Sequence, residues 1–210
     1  MPKRHYDNIM KTFVRDVKRV LQEQDLHIRN KFLKSPAVDG FYKDRHKGIA
    51  TWSTTEPILK YLIFTELCDK YKMRQEDRAY KGSKLLDLSL FIDEENEWEP
   101  AEIGIEMKWA ALTKNSRMTA GSLQCFVEDF VKIKEAMATH KYLLQFATHD
   151  PCLEIHPENI EQQLLEVYNK LSFRYFSLKG LCVEQFSILG SKEDEPVMFS
   201  LLLWKVEKAG

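Results

Sequence analysis

KLLDLSLFIDEENEWEPAEIGIEMKW, residues 84–109, is the stretch that decides how this chain folds. It reads as two alternating strands joined by a short acidic connector, because side chains of a strand point to opposite faces with a period of two. In the second strand Ile103, Ile105, Met107 and Trp109 share one face, and Glu102, Gly104, Glu106 and Lys108 share the other. In the first, Asp87 interrupts an apolar run, with Ser89 beside it on the same face. A hairpin of these strands brings Asp87 near Glu106 and Lys108, giving a cluster of two carboxylates and one ammonium.

Carboxylate oxygens are hard ligands suited to Mg²⁺, which keeps several waters and takes only one or two carboxylates from a protein. A lysine beside such a pair can orient a water or stabilise charge developing on phosphorus. Taken alone, the triplet is weak, since a Glu-x-Lys arises about once by chance in a chain of this length. It equally describes the solvated face of an antiparallel hairpin with one apolar side. The order of the surrounding elements has to decide.

Upstream, apolar residues recur at helical spacing from 6 to 32 (Ile9, Phe13, Val17, Val20, Leu21, Ile28, Phe32), which predicts an amphipathic helix or a pair of them. Ser35-Pro36 and Asp39-Gly40 break this pattern, and residues up to 48 read as a loop. Ser53-Thr54-Thr55-Glu56-Pro57 is a helix start, with hydroxyl caps, an acid and a proline in the first turn. Glu56 there is either a dipole-favourable surface acid or a group aimed at the hairpin. Residues 73–82 are polar and turn-like. Beyond the hairpin, residues 119–139 carry a helical stripe (Leu123, Phe126, Val127, Phe130, Val131, Ile133, Met137). Residues 141–148 read as a buried strand and 157–171 as a further amphipathic helix. Three strand-like runs then follow, at 173–178, 183–189 and 197–206.

Asp87 followed by Glu106-Met107-Lys108 resembles the Asp…Glu-x-Lys signature of the PD-(D/E)XK nuclease superfamily, with Leu86 in place of the literal proline. The order of helix with Glu56, Asp strand, Glu-x-Lys strand, long helix and strand resembles that superfamily's core over residues 53–148. The segment Asp129-Phe130-Val131-Lys132-Ile133 is similar to an Asp-x-x-Lys-[Leu/Ile] segment of several bacterial families in it. One strand, between the first helix and the Asp strand, is missing from this reading. The resemblance implies an α/β fold with a restriction-endonuclease-like core, a central mixed sheet flanked by helices. It implies a Mg²⁺- or Mn²⁺-dependent nuclease acting on DNA, with catalytic residues Asp87, Glu106 and Lys108. The metal ligands it implies are Asp87, Glu106, the Met107 carbonyl and Glu56, and Gln124 is a further polar residue near the long helix's start. The alternative is a catalytically inactive module of the same fold that binds nucleic acid or protein.

The composition fits one soluble domain spanning 1–210, with 44% hydrophobic and 30% charged residues. Within it, 1–48 is a basic helical segment, 53–148 the nuclease-like core, and 149–210 a C-terminal helix with strands. Residues 1–48 hold twelve Lys and Arg against six Asp and Glu on a chain of net charge −1. That excess suits either a phosphate-facing surface or a solvated helix. The N-terminus lacks the apolar centre of a signal peptide and no run reaches the length of a membrane span, so the expectation is a cytoplasmic protein without a membrane partner. Besides nucleic acid, a second copy of the chain is a candidate partner. The four cysteines (68, 125, 152, 182) form no C-x-x-C pair, and His149, Asp150 and His156 read as a surface loop rather than a zinc site. No glycine-rich phosphate loop and no G-x-S-x-G elbow is present.

Overall fold

The computed structural model describes residues 4–33, 56–80, 84–92, 100–113, 115–170, 176–189 and 196–208. Among them are four helices and six strands, in the order α1 (Arg4–Leu33), α2 (Glu56–Leu67), β1 (Lys72–Asp77), β2 (Leu86–Phe91), β3 (Ile103–Trp109), α3 (Ala120–Lys134), β4 (His140–His149), α4 (Pro157–Lys170), β5 (Phe176–Leu189) and β6 (Pro196–Lys208). The proposed hydroxyl caps at 53–55 and most of the acidic connector lie outside the described residues.

The strands form one mixed sheet in the order β1-β2-β3-β4-β6-β5. Only β3 and β4 run parallel. Parallel neighbours need a long crossover, and α3 supplies it. Its N-terminus is set by Thr119, whose side chain accepts the amide of Ser122.

Two apolar layers sandwich the sheet. On one face α1 and α2 lay Met10, Phe13, Val17, Leu21, Leu59 and Ile63 against Ile105, Met107, Leu144, Phe146 and Leu203. On the other, α3 and α4 lay Phe126, Phe130, Ile133, Ile160 and Leu164 against Leu143, Ala147, Leu202 and Trp204. β3 therefore lies between two helical layers, and the Glu106 face of the hairpin is covered by α3 rather than washed by solvent. Among the described residues no helix is long and apolar enough to cross a membrane.

Two expectations are corrected. Residues 73–82 contain a strand: β1 pairs antiparallel with β2, from Lys72 opposite Phe91 to Asp77 opposite Leu86. It is polar because it is an edge, where charges discourage further strand addition, and Arg74 spends its guanidinium over the Phe91 ring at 4.4 Å. The expected strands at 176–178 and 183–189 are replaced by one long β5, while 173–175 lie outside the described residues. Its register against β6 shifts between Gly180 and Cys182, so a bulge interrupts the pairing without ending the strand.

Gly104 is required where the hairpin meets the end of the crossover. A Cβ there would lie 2.9 Å from the Ala138 Cβ and 3.0 Å from a Leu86 methyl. The leucine can turn aside, but Ala138 moves only with its backbone. Gly104→Ala is expected to cost about 1–3 kcal/mol by overpacking, read as a lowered melting temperature. An unchanged midpoint would show that the segment carrying Ala138 yields freely.

Candidate active site

The site begins where two strands part. The β2–β3 ladder runs from Leu90 opposite Ile103 to Leu88 opposite Ile105 and stops there. On the other side of β2, pairing with β1 passes from Gln75 and Leu88 to Asp77 and Leu86, skipping Glu76, which has a φ of 51°. Left-handed backbone at a residue other than glycine is strained. This irregularity flanks Asp87. Leu88 and Leu90 pack in the α1/α2 layer, whereas Leu86 packs under α3.

The splay leaves amides of β3 that a continued ladder would have paired, and buried amides must find acceptors. Carboxylates supply them. Met107 N donates to Asp87 Oδ2 at 2.7 Å, and Trp109 N donates to Glu56 Oε2 at 3.2 Å. Since the N–H and C=O of a strand residue point to the same side, the Met107 carbonyl is also turned toward β2. Glu56, in the first turn of α2, thus points inward rather than to solvent.

Three lysines complete the cluster. Lys60, one helical turn after Glu56, lies 2.6 Å from Asp87 Oδ1 and 3.2 Å from Glu56 Oε1. Lys108 lies 2.9 Å from Asp129 and 3.7 Å from Glu56. Lys132 lies 2.8 Å from the Glu106 carboxylate, which also accepts the Tyr80 hydroxyl at 2.6 Å. Asp129 and Lys132, three apart on α3, share a helix face and reach down onto the two polar residues of β3.

Burial governs the protonation of this cluster. Glu106 is 1% exposed. Desolvation, reinforced by repulsion from Asp87, pushes its carboxyl up to about 8 against the pull of Lys132 and Tyr80. Asp129 is raised too, by burial foremost, although Lys108 opposes the shift. For Lys108 and Lys60 burial disfavours the ammonium, but their carboxylate partners outweigh it and both shift upward. Lys108 therefore stays cationic at neutral pH and is suited to stabilising charge or orienting a water rather than to accepting a proton.

Asp87, Glu106, Lys108 and Glu56, all singled out from the sequence, lie in this cluster, but Lys108 pairs with Asp129 and Glu56 rather than standing beside Asp87 as the hairpin reading expected. Gln124 does not: it is exposed on α3 and bonds Glu128 at 3.3 Å. His149 is buried against Ser200 at 2.7 Å, and His156 pairs with Glu158 at 3.1 Å, so the two do not form a joint site. The basic face of α1 is engaged elsewhere, with Arg15 and Lys18 on Glu184 of β5 and Arg19 on Glu23. Sequence reading missed Lys60 and Tyr80. Lys60 carried a signal, the Glu-x-x-x-Lys spacing of a helical ion pair. Tyr80 carried none, since only the fold brings it to Glu106.

Among the described residues no group of three or more His, Cys, Asp and Glu side chains is arranged to hold a metal ion by itself. Asp87 and Glu106 nonetheless suit Mg²⁺. They offer hard oxygens from adjacent strands, and the Met107 carbonyl is turned to the same side. Ser89, fully buried on the same strand, has a hydroxyl with no hydrogen-bond partner among the described residues. Comparison of the chain with protein-family models, with curated proteins and with solved structures finds no match in any of the three.

Proposed function

We propose that this protein is a divalent-metal-dependent nuclease that hydrolyses phosphodiester bonds of nucleic acid, DNA in the first instance, on a core of the PD-(D/E)XK type. The observation that carries the reading is the pair of buried carboxylates, Asp87 and Glu106, at the point where β2 leaves β3, with Lys108 one pleat further along. The succession α2, β1, β2, β3, α3, β4 agrees with it, since β1 occupies the position of the strand missing from the sequence reading.

In this mechanism Asp87, Glu106 and the Met107 carbonyl would hold Mg²⁺ or Mn²⁺, with Glu56 as a second-tier ligand. The ion, when bound, lowers the pKa of a coordinated water and offsets charge on the phosphorane. Lys108, kept charged by Asp129, would orient the attacking water or stabilise the developing oxyanion, where a preorganised charge is most effective. Asp129 fixes Lys108, and Lys132 with Tyr80 fixes the Glu106 carboxylate.

A second reading, a binding module without catalysis, draws on one observation. Asp87, Glu56 and Glu106 already receive internal donors from Lys60, Lys132, Tyr80 and two backbone amides. Labelled single- and double-stranded DNA and RNA, incubated with Mn²⁺ or with chelator, discriminate the two. Cleavage in Mn²⁺ is expected to vanish with chelator and to fall a hundredfold or more in Asp87→Asn. Undiminished cleavage by Asp87→Asn overturns the site, and a wild type that binds but cuts no substrate moves the reading to the binding module.

A further inference from the structure

Lys60 has no part in the mechanism above, yet it makes the shortest ion pair of the cluster. Its ammonium lies 2.6 Å from Asp87 and 3.2 Å from Glu56, between one ligand and the second-tier ligand of the proposed ion. Lys60 is held there from behind, because its neighbours Leu59 and Ile63 are buried in the α1/α2 layer and fix the rotation of the helix. Its own side chain is 14% exposed and so is not sealed in the core.

We propose that Lys60 is a resident counter-ion: it neutralises Asp87 and Glu56 in the metal-free protein, and a divalent cation must displace it to bind. The inference rests on the metal reading given above and adds to it the competitor that sets the ion's affinity. An ammonium donating to a carboxylate oxygen occupies the direction from which a cation would approach. A dication and an ammonium sharing one carboxylate also repel each other strongly at low dielectric. The metal-competent state is therefore the fraction of molecules in which Lys60 has swung out, and apparent affinity is reduced by that fraction. The arrangement keeps the carboxylates from facing each other uncompensated while the ion is absent, when an unpaired buried charge would be costly. Lys108 and Lys132 are not equivalent to it. Lys108 leans on Asp129 and Lys132 on Glu106, and neither is within reach of Asp87 in the structure.

Two measurements test this without relying on turnover. In the first, binding of Mn²⁺ is followed by electron paramagnetic resonance of the free ion, in wild type, Lys60→Met, Lys60→Arg and Asp87→Asn. Lys60→Met, of similar length and no charge, is expected to bind Mn²⁺ tenfold or more tightly than wild type. Lys60→Arg should stay near wild type, and Asp87→Asn should lose the site. In the second, wild type alone is reductively methylated with and without saturating Mg²⁺, and each lysine is quantified by mass spectrometry. Lys60 labelling is expected to rise several-fold with Mg²⁺, while exposed Lys84 stays constant. This second arm needs no variant to fold. If Mn²⁺ binds in an Asp87-dependent way but Lys60→Met changes neither affinity nor labelling follows the ion, the counter-ion proposal falls and the metal site stands. If no Mn²⁺ binds to wild type or to Lys60→Met, the metal reading falls and the proposal with it.

Discussion

Glu106→Gln is expected to lower metal-dependent cleavage by a hundredfold or more and, in the metal-free protein, to raise the melting temperature at pH 8 by several degrees. The two effects have one origin. Glu106 is buried beside Asp87, and both burial and that neighbouring charge make its ionised form unfavourable. The folded protein therefore holds the carboxyl proton more tightly than the unfolded chain does. Between the ordinary value of 4.5 and the folded value of about 8, the native state binds more protons than the unfolded state, so stability falls as pH rises through this window. Glutamine has no proton to lose and no such slope. The gap in melting temperature between variant and wild type should thus open above about 4.5, widen up to about 8 and then stay constant. Lys132 keeps an oxygen to bond, and Tyr80 can turn from donor to acceptor, so the packing survives. Loss of the charge that would hold the proposed ion accounts for the expected fall in rate. Gains in stability on losing a functional group are expected where an active site carries strained electrostatics. Undiminished cleavage would remove Glu106 from the site. A gap independent of pH would mean that Glu106 ionises in the folded protein as readily as in the unfolded chain.

Affinity for the divalent ion should climb steeply with pH, by about tenfold per unit below the Glu106 pKa of about 8, and level off above it. A carboxylate must be ionised to bind a cation. At pH 6 to 7 the Glu106 carboxyl is mostly protonated, so each ion bound expels close to one proton. Calorimetry in two buffers of different ionisation enthalpy reads this proton directly, and the slope of log affinity against pH reads it independently. In Glu106→Gln both signals should disappear together with most of the affinity. Wild-type binding that is flat between pH 6 and 8 would place the ion away from Glu106.

Part of the candidate cluster was legible in the sequence. The period-two alternation of residues 103–109 put Glu106 and Lys108 on one face, whereas Asp129 and Lys132 entered only through the Asp-x-x-Lys segment of the resemblance. α1 and α4 were likewise readable, since an amphipathic helix carries its own period. These features are local, because the repeat of the backbone is written into the spacing of a few neighbouring side chains.

What tertiary structure decided is what depends on partners far along the chain. β1 is polar and became a strand only by pairing with β2, whose ladder supplies hydrogen bonds that its side chains do not advertise. The runs at 176–178 and 183–189 became one strand because β6 pairs across the bulge at Gly180 and Cys182. The position of Asp87 between β2 and β3 follows from the end of a ladder, which periodicity does not encode. Above all, the hairpin face that sequence left open between a solvated surface and a site was settled as a buried face when α3 came down on it. Only that covering removes water from Glu106, brings Lys132 and Tyr80 to its oxygens and raises its pKa, because desolvation is a property of the packed layers and not of any one segment.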